Sequence, residues 1–100
     1  IVICDQEKLD EKGCICAPDM IIEIISKKNG KRDVEDKFRL YEKHKVKEYW
    51  IVHPNDQTVT VFLLNENNTY QHIGIYSGDS KVKVNIFDNF EIDLSEVFRE

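Results

Sequence analysis

The sequence predicts an α+β domain: a mixed sheet with one long helix inserted early, followed by a series of hairpin-linked strands. Three observations predict it. Met20 to Ile25 is an almost unbroken apolar run, interrupted only by Glu23. Asp33 to Lys45 carries a helical periodicity and is followed by the β-prone segment Glu48-Tyr49-Trp50-Ile51-Val52. From Thr58 onward, short apolar segments recur between turn signals, and strands, one helix, then strands again is an α+β order.

Taken along the chain, Ile1 to Cys4 reads as a first strand that ends at Asp5, and Gln6 to Gly13 as a polar loop with Gly13 as a turn residue. The run from Met20 to Ile25 is rich in β-branched residues and fits a strand buried on both faces. Asn29-Gly30 closes this unit as a turn. In the helix expected over Asp33 to Lys45, Val34, Phe38 and Tyr41 form an apolar stripe that Leu40 broadens. Asp33 is a suitable N-cap and Asp36 resembles the second member of a capping box. Lys43, His44 and Lys45 stand at the C-terminal end, where the helix dipole favours cations. Pro54-Asn55-Asp56 stops the next strand, Thr58 to Leu64 alternates, and Asn65 to Asn68 is a turn. Tyr70 to Ile75 and Lys81 to Ile86 give two more strands, and Asp93 to Phe98 a short terminal helix.

One hundred residues make a single domain, 1–100, and 41% hydrophobic residues suffice for a core. The chain opens on an apolar run at Ile1 rather than on Met, which predicts a piece of a longer protein whose upstream part of the sheet is absent. A net charge of −5 runs against the basic bias of a nucleic-acid binder. Lys27-Lys28 with Lys31-Arg32, and Lys43 to Lys47, are local basic groups that read as solvated surface. Cys4, Cys14 and Cys16 are an odd count without a secretory signal, which predicts reduced thiols and a cytoplasmic setting. Cys14-x-Cys16 lacks a second ligand pair at zinc spacing. No run approaches the length of a membrane span.

Glu23 is the informative residue, because a carboxylate inside Met-Ile-Ile-Glu-Ile-Ile needs compensation by a metal, a cation or solvent. Asp19 shares its strand face, but four residues put it about 13 Å away, too far for both to hold one ion without distortion. Lys37 follows Asp33 by four residues, and most such lysines form surface pairs with the acid. Together, a strand carboxylate and a helix lysine can serve phosphodiester hydrolysis. The first holds a divalent cation and the second orients the attacking water. There is no Ser-His-Asp order, phosphate-cradling glycine loop or HExxH sequence, and His44, His53 and His72 are scattered.

The segment Ala17-Pro18-Asp19-Met20-Ile21-Ile22-Glu23-Ile24-Ile25-Ser26 resembles the central block of the Uma-two family of restriction endonucleases, within the PD-(D/E)XK superfamily. Asp33-x3-Lys37-x3-Tyr41 is similar to that family's helix, and Val46-Lys47-Glu48-Tyr49-Trp50-Ile51-Val52 to its next strand. Phe87 to Leu94 resembles its closing segment, and Ile1 to Asp5 the end of its preceding strand. Two positions depart from the family pattern: Lys45 replaces a glycine and His53 an aspartate.

The resemblance implies a restriction-endonuclease-like fold and a Mg2+- or Mn2+-dependent DNA endonuclease, with a homodimer hinted. It implies Glu23 as the metal-binding acid, the backbone carbonyl of Ile24 as a further ligand and Lys37 as the catalytic lysine, since Ile25 stands where that lysine usually is. The family's first metal-binding Asp falls just before Ile1, and Asp5 would lie at the far end of the strand pair. Asp19 is carried as a lesser candidate ligand. Two other readings stand beside this one: a non-catalytic interaction or scaffold domain that retains the fold, and a thiol sensor built on Cys14 and Cys16.

Overall fold

The computed structural model describes residues 1–4, 18–26, 30–87 and 89–98, and residues 9–10 and 13–14 as backbone strands. The elements are β1 (Val2–Ile3), β2 (Leu9–Asp10), β3 (Gly13–Cys14), β4 (Met20–Ile24), α1 (Lys31–Lys43) and β5 (Glu48–His53). They continue with β6 (Thr58–Leu64), β7 (Tyr70–Ser77), β8 (Lys81–Lys83), β9 (Glu91–Asp93) and α2 (Leu94–Val97). A five-stranded sheet runs β1-β4-β5-β6-β7, and β2-β3 and β8-β9 form separate two-stranded ladders. Only β4 and β5 are parallel within the central sheet, joined by α1 as the crossover helix that parallel neighbours require. The expected mixed α+β architecture is present.

Strand alternation builds two cores. On one face Met20, Ile22, Trp50, Val52, Val59 and Val61 pack against Val82, Val84 and Leu94 from the second ladder and α2. On the other, Ile21, Tyr49 and Ile51 lie under α1, which contributes Val34, Phe38 and Tyr41. That is the predicted stripe, with one exception: Leu40 is 48% exposed. Six residues beyond Val34 it has turned about 240° around the helix, away from the sheet.

The helix begins two residues earlier than its sequence suggests. Gly30 is the N-cap, with extended backbone and no side-chain cap, so Asp33 lies in the first turn and the expected capping box does not form. There its carboxylate still complements the positive end of the helix dipole. At the other end the Val46 N–H reaches the Tyr41 carbonyl and the Lys45 N–H that of Glu42, a Schellman motif. Its left-handed position is Lys45, at φ 61°. The strain of a side chain there is about 1–2 kcal/mol, against about 0.4–1 kcal/mol for the freedom glycine adds to the unfolded chain. Lys45→Gly is therefore expected to raise stability by roughly 0.5–1 kcal/mol, read from the urea midpoint.

Elsewhere the strand readings hold with shifted ends. The strand expected over Lys81 to Ile86 stops at Lys83, because the chain turns after Val84, where the Phe87 N–H bonds the Val84 carbonyl, while the Val84 N–H still reaches the Phe90 carbonyl. This brings Glu91–Asp93 back against Lys81–Lys83 as β9, an element without a signal of its own in the sequence. β2 and β3 likewise pair inside a segment that reads as polar loop. Asp93 caps α2 by accepting from the Ser95 N–H and hydroxyl, which hold its carboxyl below the usual range.

Glu48 is wholly buried yet satisfied. Its carboxylate accepts from Trp50 Nε1 at 2.7 Å, Asn85 Nδ2 at 3.1 Å and the Ile86 backbone N–H at 3.0 Å. Trp50 is two residues on and so shares the face, while Asn85 and Ile86 come from the covering layer. The carboxylate thus ties the central sheet to the segment after β8.

Candidate functional site

Glu23 sits near the C-terminal end of β4, on the face covered by α1, with Ile51 of β5 as its register partner. Its side chain is 26% exposed, at the rim of the apolar layer formed by Ile21, Tyr49 and Ile51. Lys37 and Tyr41, one turn apart on α1, both reach it. Tyr41 donates its hydroxyl to Oε1 at 2.6 Å, and Lys37 Nζ stands 3.6 Å from Oε2. Lys37 is also 3.6 Å from Asp33 Oδ2. The surface i,i+4 pair and the cross-element pair therefore coexist, with the lysine between two carboxylates. Counted with Asp33, the cluster carries one net negative charge.

Burial pushes the Tyr41 hydroxyl far above the ordinary phenol range, helped by its bond to Glu23 and the charges of Glu23 and Asp33. The hydroxyl therefore keeps its proton and acts as a donor to Glu23 at neutral pH. Tyr49, deeper under the helix, is raised in the same direction by burial and then by Glu23. Tyr41 is one of the positions at which the helix resembles the family's, but the sequence assigns it no role, since a tyrosine on an apolar helical stripe reads as core.

The ladder around Glu23 matters for the chemistry. Val2 opposes Ile21 and Ile3 opposes Met20. Ile1 and Ile22 exchange both backbone hydrogen bonds, each at 2.8 Å. Backbone alternation also turns Ile24 to the same side of the strand as Ile22, toward β1, whereas the Ile25 N–H bonds the Val52 carbonyl of β5. The Glu23 carboxylate and the Ile24 carbonyl are hard oxygen donors of the kind Mg2+ and Mn2+ take, and in chemical type they fit such an ion. Among the described residues no group of three or more His, Cys, Asp or Glu side chains could hold a metal.

Asp19 is not brought to this cluster. It lies four residues back along β4, 3.9 Å from Lys47 Nζ, and its carbonyl accepts from the Glu48 N–H. It lines a cleft of about 680 Å³ with Ile3, Cys4, Lys47, Asn85 and Phe87, at the opposite end of the strand from Glu23. No histidine joins Glu23 either: His53 lines a small hollow with Ile25 and Asp56, and His72 meets the Phe62 ring edge-on. Cys4 is disulfide-bonded, which departs from the reduced thiols expected of the odd cysteine count. Asp5, Lys27-Lys28 and the sulfurs of Cys14 and Cys16 lie outside the described residues. No helix among the described residues is long and apolar enough to cross a membrane.

The sequence model of the Uma2 family, described as "putative restriction endonuclease", matches residues 1–95. The chain is similar in structure to a protein from Anabaena variabilis described as a putative nuclease belonging to DUF820, with a TM-score of 0.73 and 21% identity. That similarity covers 95% of the chain and 55% of the Anabaena protein, so the chain spans about half of its relative's length. At that identity the likeness establishes the shared fold. No curated protein matches the chain.

Proposed function

The chain belongs to the Uma2 family of restriction-endonuclease-like proteins, and from that premise we propose that it is a metal-dependent endonuclease domain that hydrolyses DNA phosphodiester bonds. The observation that carries this reading is the meeting of Glu23 and Lys37, from adjacent elements, at 3.6 Å on the rim of the sheet. Glu23 and the Ile24 carbonyl would hold Mg2+ or Mn2+, with further oxygen donors completing the ligand set. A bound divalent cation offsets the charge that develops on the phosphate. Lys37, at 37% exposure, keeps its ammonium close to both solvent and Glu23, where it can orient a water for attack on phosphorus. The water oxygen forms the new P–O bond, the bond to one sugar oxygen breaks, and that oxygen leaves with a proton. Asp33, across from Glu23, limits how far Lys37 can swing.

Lys37→Met is expected to lower cleavage of plasmid DNA by the full-length protein at saturating Mn2+ by about 10²-fold or more, while the thermal midpoint moves little. Cleavage by this variant at the unmodified rate would sink the assignment of Lys37.

A second reading, a non-catalytic interaction domain that retains the fold, is favoured by one observation: Glu23 already has a hydrogen-bond donor in Tyr41 and a cation in Lys37. It predicts no saturable divalent-ion binding by the full-length protein in calorimetry.

A further inference from the structure

We infer that Tyr41 is a positioning residue of this centre: its hydroxyl pins Oε1 of Glu23 and so presents Oε2 as the oxygen open to a hard divalent cation. The inference rests on the nuclease reading and deepens it, because it says which carboxylate oxygen is available and what holds it there.

Two contacts divide the carboxylate unequally. The Tyr41 bond, at 2.6 Å, is in the range of short charge-assisted O–H···O⁻ bonds. Lys37, at 3.6 Å from Oε2, is an ion-pair partner beyond hydrogen-bond distance. Oε1 is therefore committed, and Oε2 keeps lone pairs that the lysine does not saturate. The phenol oxygen is itself fixed from behind. The Tyr41 ring meets Tyr49 edge-on at a centroid distance of 5.1 Å, and Tyr49 is buried and packs with Phe38, Phe62 and Tyr70. The direct support of the donor at the rim is thus the Tyr49 ring, while Phe38 packs closest on that ring's neighbours, Phe62 and Tyr70. Without that donor, the Glu23 carboxylate would keep more rotational freedom at the rim, and ordering it would oppose cation binding. Tyr41 acts through Glu23 and touches no reacting atom.

Tyr41→Phe keeps the ring and removes only the hydroxyl. Mn2+ titration of the full-length protein, followed by electron paramagnetic resonance, is expected to show affinity about 10- to 100-fold weaker than wild type, the usual effect of losing a partner behind a metal ligand. In cleavage assays the Mn2+ concentration for half-maximal rate should rise by the same factor, with a smaller change in the rate at saturation. Phe38→Leu disturbs the same aromatic block and is expected to lower the thermal midpoint while leaving Mn2+ affinity within about twofold of wild type. The 13Cζ resonance of Tyr41 in the wild-type protein should shift during a Mg2+ titration, with the midpoint of ion binding; this readout does not depend on a variant folding.

Equal Mn2+ affinity in wild type and Tyr41→Phe, or an unmoved Tyr41 resonance, overturns the inference and leaves the nuclease reading intact. Equal weakening by Phe38→Leu and Tyr41→Phe also overturns it, since packing alone would then explain the loss. No saturable Mn2+ site in the wild type overturns both, and is recognised by the parallel absence of any effect of Glu23→Gln.

Discussion

Glu23→Gln is expected to abolish divalent-ion-dependent cleavage, by about 10²-fold at the least, while leaving the fold almost unchanged. The contrast between the two effects is the informative part. Gln keeps the volume of Glu and can still accept the Tyr41 hydroxyl, so the 2.6 Å contact has a replacement. The Lys37 ion pair is lost, but it is partly exposed and long at 3.6 Å, the class of pair whose contribution is about 0–1 kcal/mol. The amide has no formal charge for a cation, and an uncharged oxygen is a poor substitute where a carboxylate anchors a metal. Activity should therefore collapse with the urea midpoint nearly constant. Parallel loss of both would mean that Glu23 is a structural residue, held by Tyr41 and Lys37 for packing alone.

Glu48 should behave in the opposite way. Glu48→Ala is expected to destabilise the domain by roughly 3–5 kcal/mol, a large share of the 5–15 kcal/mol that holds a small domain together. The reason is the direction of its hydrogen bonds: Trp50 Nε1, Asn85 Nδ2 and the Ile86 N–H are all donors. Alanine leaves these donors in a buried place without an acceptor. Glu48→Gln does only part of this damage, about 2 kcal/mol, because its oxygen can serve one or two donors while its own NH2 faces others. Urea unfolding of the two variants, with the order Ala worse than Gln, checks the argument. A Glu48→Ala variant as stable as wild type would show that the buried carboxylate is not what joins the two layers.

These two glutamates also show how far the sequence can be read. Glu23 was visible because it interrupts an apolar run, and a lone charge among β-branched residues demands an explanation. Lys37 could be named only together with a family resemblance, since by spacing alone it belongs to Asp33. Both pairings exist, and the sequence had no means of giving the angle at which α1 crosses β4. Tyr41 was hidden for a related reason. Its ring does lie in the predicted stripe, and only its hydroxyl escapes to Glu23. Glu48 was named only as the start of a β-prone segment; its one local sign is Trp50 two residues later, on the same face. Asn85 and Ile86, which complete its environment, are more than thirty residues away in the chain.

The boundaries failed where local chemistry was ambiguous. Asp33 has the side chain of an N-cap, yet Gly30 takes that place and Asp33 becomes a first-turn carboxylate within reach of Lys37. β9 is three residues long and is defined by its partner, so no periodicity could announce it. Lys45 is the reverse case: its departure from the usual glycine coincides with a left-handed backbone, and the sequence difference acquires a physical consequence.

Glu23 as a cation ligand is the claim on which the proposed chemistry stands. Mn2+ titration of the full-length protein, its Glu23→Gln variant and its Asp19→Asn variant tests it most directly. The account predicts a saturable site in the wild type that Asp19→Asn keeps and Glu23→Gln loses. Undiminished binding in Glu23→Gln, or loss of the site in Asp19→Asn alone, would contradict it.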